Sequence, residues 1–426
     1  MTFLKRNQLP SYLLLLYLVD YLFPSVFGAV ALFLFDSGSL QSAVKPMLLI
    51  LLPITLFIFR ERTNKCKSIE RTVLPFFIVF LYVQTIYFAS EMTLKMFINV
   101  VLFLFLCKYV SCDICDKYCW YVKILSLVAC IPVIFYCVVN HNLYFYRDSV
   151  FIEKQTLSIL LMLAYTICMI DLFVGRKKRN LNLGILVFLT GINLFVIQSK
   201  SSLFTLVMAA IILFFTKKTV RQWLKKKFIY FLLGYFVVLL AFPSLALPDD
   251  IRFGVNRFVG TKIFSTNYTR MEERMEVTYS VRDDVRELCF HIFRQNPFLG
   301  IGVGNFATYN KYSNSKVSFL GEPESTWLSV ITEGGLLYAL CMILFFAANI
   351  YYAYRRARID DNDVYAYRSL LVNICFCVMF VFNDFMDTLF WVSSGVVVGA
   401  AYYEGAVKKN DLYSRECLNG EKYLLG

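Results

Sequence analysis

Histidine is close to absent: His141 and His291 are the two present in 426 residues. A His-rich metal centre is thereby excluded. No internal repeat is visible, which counts against inverted-repeat transporters, whose halves carry weak internal symmetry. No cleavable leader is expected either, because Lys5 and Arg6 run into an apolar stretch too long for a signal peptide. Charges inside the long apolar runs are scarce, with Asp20 and Glu333 standing out. A transporter coupled to ions bound near the bilayer midplane would need more of them.

What the chain has in abundance is apolar surface. Hydrophobic residues make up 58% and the mean hydropathy is +0.60. A soluble domain carries roughly 45–50% apolar residues, so the excess calls for a bilayer. The 42 Phe and 28 Tyr push the same way. A net charge of +13 raises nucleic acid as a partner. The charges, however, fall in short clusters between apolar runs, as the positive-inside rule requires of a membrane protein, and nucleic acid is set aside. Many of the 13 cysteines lie inside apolar runs, where Cys behaves as a small hydrophobe. Cys107, Cys112, Cys115 and Cys119 imitate zinc spacing, but no His is near them, and reduced thiols in a cytoplasmic turn are the expectation.

A membrane helix needs about 20 mostly apolar residues. Runs of that kind lie near 11–35, 42–59, 72–90, 93–110, 118–139, 155–175, 181–198, 202–216, 228–247, 325–352, 368–383 and 386–404. The fold class expected is therefore all-α and polytopic, with about twelve transmembrane helices. Basic clusters follow every second run: Arg60 to Arg71, Arg176 to Arg179, Lys217 to Lys227, Arg355 to Arg358, and Lys408 with Lys409. All of them share one side if both termini are cytoplasmic. The chain reads as a single membrane domain over 1–426, with an extracytoplasmic loop over 248–323 and a cytoplasmic tail over 405–426. Long loops translocate whatever their charge, so the cations of that loop leave the topology intact.

The chemistry-bearing residues gather in and beside the long loop. Val281, Val285, Leu288 and Ile292 form an apolar stripe at helical spacing. On a helical wheel Arg282 and Arg286 flank that stripe, with Asp283 and Asp284 assigned to the far side. Two readings stand: arginines that snorkel to lipid headgroups, or a cationic clamp for a diphosphate, which the planar guanidinium fork suits. Gly300, Gly302 and Gly304 follow Asn296-Pro297 directly. Closely spaced glycines allow backbone amides to cradle an anion, and a tight re-entrant turn accounts for them equally well. Glu324 at the start of a span is a candidate general base or a helix N-terminal carboxylate complementing the dipole. Glu322 and Glu333 are secondary acids, the latter because an ionisable residue within a span is a functional candidate. Lys200 is a lone cation between runs on the outer side, Arg147 lies in a medium outer loop, and Asp384 marks the last outer turn.

These residues resemble the O-antigen polymerase and ligase superfamily, the Wzy and WaaL group. Val281-Arg-Asp-Asp-Val-Arg286 resembles its Arg-rich segment, and Asn296-Pro-Phe-Leu-Gly-Ile-Gly-Val-Gly-Asn-Phe306 its glycine motif. Glu324-Ser-Thr-Trp-Leu328 and Glu333-Gly-Gly335 are similar to the segments that follow, and Ser199-Lys200-Ser201 to a Ser-Arg-Gly turn. Arg286 stands where the family commonly has Trp. Glu324 stands where ligases carry a catalytic His, a departure that favours a polymerase over a ligase. The resemblance implies a glycosyltransferase of GT-C type in the bacterial inner membrane, with its active site on the periplasmic side. It implies no metal and no cofactor. The donor would be a growing glycan on undecaprenyl diphosphate and the acceptor a lipid-linked repeat unit, with a chain-length regulator and a flippase as partners. Glu324 would act as base, with Arg282, Arg286, Lys200 and Arg147 stabilising the diphosphate. A ligase acting on a lipid A-core or other acceptor, and a flippase for lipid-linked sugars, are the alternatives.

Overall fold

The computed structural model describes residues 8–22, 39–58, 73–88, 90–139, 154–175, 179–197, 199–217, 283–312, 323, 325–382 and 388–424. Helix is the one regular structure among them. In chain order the helices are α1 (Gln8–Leu22), α2 (Ser39–Ile58), α3 (Leu74–Tyr87), α4 (Glu91–Tyr109), α5 (Cys112–Val139), α6 (Lys154–Ile170), α7 (Arg179–Ile192) and α8 (Lys200–Thr216). Next come α9 over 283–295, α10 (Phe306–Tyr312), α11 (Thr326–Glu333), α12 (Gly335–Ile359), α13 (Val364–Phe382) and α14 (Thr388–Leu424). Among the described residues, five stretches, in α4, α5, α6, α12 and α13, are long and apolar enough to cross a membrane, and shorter apolar helices lie before and between them. The expected run at 228–247 lies outside the described residues.

Local chemistry sets several helix ends. Ser90 caps α4 by accepting from the Thr93 amide at 3.2 Å. Glu91 and Lys108 lie at the N- and C-terminal turns that favour their charges. Ser199 caps α8 through the Ser202 amide. The helix α6 is the hub, buried along nearly its whole length and packed by α5, α7, α8 and α13. Along α14, Gly395 and Gly399 let the backbone approach Leu106 of α4, the close packing that small residues permit between membrane helices. Phe77, Phe103, Phe345, Phe390 and Trp391 fill the centre with edge-on and tilted ring contacts.

Three sequence expectations change here. The run at 325–352 is two helices, broken at Gly334-Gly335, where Gly335 has φ 63°. The cysteines 112, 115 and 119 lie in α5 itself and not in a turn, because the helix starts six residues before the apolar run does. The last helix runs on past 404 to Leu424.

The bundle has two chemically different ends. At one, α5, α7 and α13 begin while α6, α8 and α12 finish. Lys123 of α5 meets Asp171 at 2.8 Å and Asn182 at 2.9 Å. Arg368 of α13 meets Asp171 at 2.9 Å and pairs with Asp116 as well. Arg356 pairs with Asp363, and Lys217 donates to the Asp361 carbonyl at 2.9 Å. The basic connections around Arg179, Lys217 and Arg356 thus lie at one end, in keeping with their alternation along the chain. The other end carries the glycine motif.

Candidate functional site

The helix α9 terminates at the Asn296-Pro297 step, and the chain then turns sharply through three glycines. Gly300, Gly302 and Gly304 have φ of 64°, 93° and 81°, the left-handed region that side-chain-bearing residues enter at a cost of about 1–2 kcal/mol. A Cβ on Gly300 would also run into the carbonyl group of Glu333 and, at 2.6 Å, the Thr332 carbonyl oxygen.

The reason for that contact is that the turn docks into the break between α11 and α12. The amides of Ile301 and Gly302 donate to the carbonyls of Thr332 and Glu333 at 3.1 and 2.8 Å. In return the amides of Leu336 and Leu337 donate to Pro297 and Phe298 at 2.8 and 3.2 Å. Breaking the run at Gly334-Gly335 frees backbone groups that would otherwise be satisfied inside one helix, and the turn takes them up.

Side chains complete the clasp. Gln84 of α3, fully buried, donates through Nε2 to the Leu299 carbonyl at 3.1 Å and accepts the Val303 amide through Oε1 at 3.2 Å. Ser90 donates to the Val303 carbonyl at 2.6 Å. The carboxylate of Glu333 takes the Gly304 amide on Oε2 at 3.0 Å and the Phe306 amide on Oε1 at 3.2 Å, which caps α10. Behind the turn, Val285, Cys289 and Ile292 of α9 pack on Phe306, with Leu288, Ile301, Tyr309 and Leu328 around them. The apolar stripe read from the sequence therefore does face a partner.

The cations are arranged differently from the wheel reading. Arg286 is 61% exposed and pairs with Asp283 at 3.1 Å. Residues three apart sit only about 60° around a helix from one another, so Asp283 is a neighbour of Arg286 and not on the far side. Lys200 is exposed at the start of α8. The turn before it is held by Asn193, whose side chain accepts the Ser199 amide at 2.9 Å and donates to Ser202 at 2.8 Å. Since α7 begins beside Lys123 at the charged end and runs away from it, Lys200 stands at the glycine end.

The anion cradle expected of Gly300, Gly302 and Gly304 is filled from within. Their amides donate to the Asn296 carbonyl, the Glu333 carbonyl and the Glu333 carboxylate. Glu333, read from the sequence as a functional candidate or a partner for another span, is the side chain that takes the Gly304 amide. Arg282, Glu324, Arg147, Glu322 and Asp384 lie outside the described residues. Next to Glu324, Ser325 donates to the Phe380 carbonyl at 2.9 Å and Trp327 to the Cys377 carbonyl at 3.1 Å, tying the start of α11 to the end of α13.

Sequence reasoning missed Gln84, Ser90 and Asn193. Each is an isolated polar residue in or beside an apolar run, which is the signal that would have found it. It also missed the Lys123, Asp171 and Arg368 cluster, whose members stand 48 and 197 positions apart.

Comparison with known proteins meets this geometry in one place. No curated protein matches the chain. A sequence family described as O-Antigen ligase matches residues 185–343, a stretch that takes in the Lys200 turn, α9, the glycine turn and the α11–α12 break. In that stretch the chain is similar to O-antigen ligase proteins, which supports a surface-glycan function of ligase or polymerase type for an integral membrane protein.

Proposed function

We propose that the chain is a polymerase of surface polysaccharide, a glycosyltransferase using undecaprenyl-diphosphate-linked glycan as donor. The observation that carries this reading is the glycine turn seated in the α11–α12 break by Glu333, inside the stretch similar to O-antigen ligases. Glu324 takes the proton from a sugar hydroxyl of the incoming lipid-linked unit. The hydroxyl oxygen forms its bond to the anomeric carbon while the bond from that carbon to the diphosphate oxygen breaks, with inversion. The electron pair leaves on the diphosphate, and Arg282, Lys200, Arg147 and Arg286 stabilise the charge as it develops. For Arg286 this means exchanging Asp283 for phosphate oxygens. An exposed ion pair is worth about 0–1 kcal/mol, so the exchange is cheap against a diphosphate.

The test is incubation of purified enzyme with a defined lipid-linked repeat unit and nothing else. Longer lipid-linked ladders are expected from wild type and none from Arg282→Ala or Glu324→Gln, both expressed and inserted normally. Wild-type ladders from either variant remove that residue from the mechanism. The ligase reading is favoured by the description of the matching family. It predicts no product until a second acceptor is added. Substrate movement across vesicles without new glycosidic bonds would instead identify a flippase.

A further inference from the structure

Glu333 is partly buried and engaged on both oxygens by backbone amides of another segment. A carboxylate accepting two N–H groups makes charge-assisted bonds, roughly twice as strong as neutral ones. Its partners are specific. Gly304 is the last of the three left-handed glycines, and Phe306 is the first residue of α10 and the buried ring on which α9 rests. Displacing the Phe306 amide displaces that ring, and with it Val285, Cys289 and Ile292 on the helix that bears Arg286. The carboxylate on the α11–α12 break is thus linked through Phe306 to the packing of α9, alongside the backbone bonds and the Gln84 side chain that also hold the turn.

We propose that Glu333 is a positioning residue for glycan transfer: its carboxylate latches the glycine turn through Gly304 and Phe306 and so holds the cation-bearing helix α9 in register with the reacting groups. The role rests on the polymerase reading above. In this role Glu333 acts through the loop, each of its carboxylate oxygens engaged by a backbone amide. Removing the side chain leaves the Gly304 and Phe306 amides without their carboxylate, and acetate can be offered in its place.

The experiment uses the full chain in nanodiscs, as wild type, Glu333→Ala and Glu333→Gln, in sodium acetate and in sodium chloride of equal ionic strength. Backbone hydrogen exchange over 300–306 and chain extension are read side by side. For Glu333→Ala, exchange at Gly304 and Phe306 quickens and kcat falls at least tenfold, with KM for the lipid-linked donor little changed. Acetate recovers part of both losses and chloride neither. Glu333→Gln, which keeps one acceptor oxygen, falls between. Unchanged exchange in Glu333→Ala overturns the latch. Faster exchange with wild-type kcat overturns the positioning role. Loss in Glu333→Gln as deep as in Glu333→Ala and untouched by acetate marks Glu333 as a reacting group and overturns the proposal as well. Should wild type itself extend no chain, the polymerase reading falls, while the exchange data still decide whether the latch exists.

Discussion

Gly300 and Glu333 show how much one residue decides here. Gly300 combines φ 64° with direct backbone contact to residues 332 and 333. Gly300→Ala therefore meets both the left-handed penalty of about 1–2 kcal/mol and a steric clash that the docked backbone has no room to relieve. A drop in unfolding temperature in detergent, larger than for Gly184→Ala, whose added methyl meets nothing within 4 Å, is the expected outcome. The glycine spacing was legible in the sequence as a turn or an anion cradle. It is a turn, and of its three glycine amides Gly304's donates to the carboxylate of the chain's own Glu333.

At the scale of elements, the unit is a turn inserted between two helices and clasped by a third. The side chain of Gln84 bridges a carbonyl and an amide four residues apart on the turn. Gln84→Leu removes both bonds of a partly buried contact, leaving the Leu299 carbonyl and the Val303 amide without them, at up to about 1–3 kcal/mol each. Faster hydrogen exchange at Val303 and a lowered unfolding temperature are expected, and exchange at wild-type rates would show that the clasp contributes nothing. The stripe on α9 was readable because helical periodicity is local. The break at Gly334-Gly335 was not, since the apolar run continues straight through it and only the docked turn makes the interruption favourable.

For the whole molecule, the buried charge cluster at the opposite end joins α5, α6, α7 and α13. Asp171 sits between Lys123 and Arg368, all three buried. Removing one member leaves uncompensated charge inside the bundle, at roughly 3–5 kcal/mol. Asp171→Ala is expected to lower the yield of monodisperse protein on size-exclusion in detergent and its unfolding temperature sharply. Chain extension per folded molecule stays near wild type, because the cluster is at the end away from the glycine turn. Equal stability of the variant would mean that the two cations find other partners.

By itself, the sequence determined the membrane-spanning helical class, the placement of the basic connections at one end and the segment that carries the candidate chemistry. Those follow from hydropathy, charge alternation and motif spacing, all properties of residues close together in the chain. The tertiary structure alone decided which groups satisfy one another: Glu333 with Gly304 and Phe306, Gln84 with Leu299 and Val303, Asp171 with Lys123 and Arg368. Burying a donor or a charge costs free energy unless it is paired, and the partner is set by which helices pack together and not by distance along the chain.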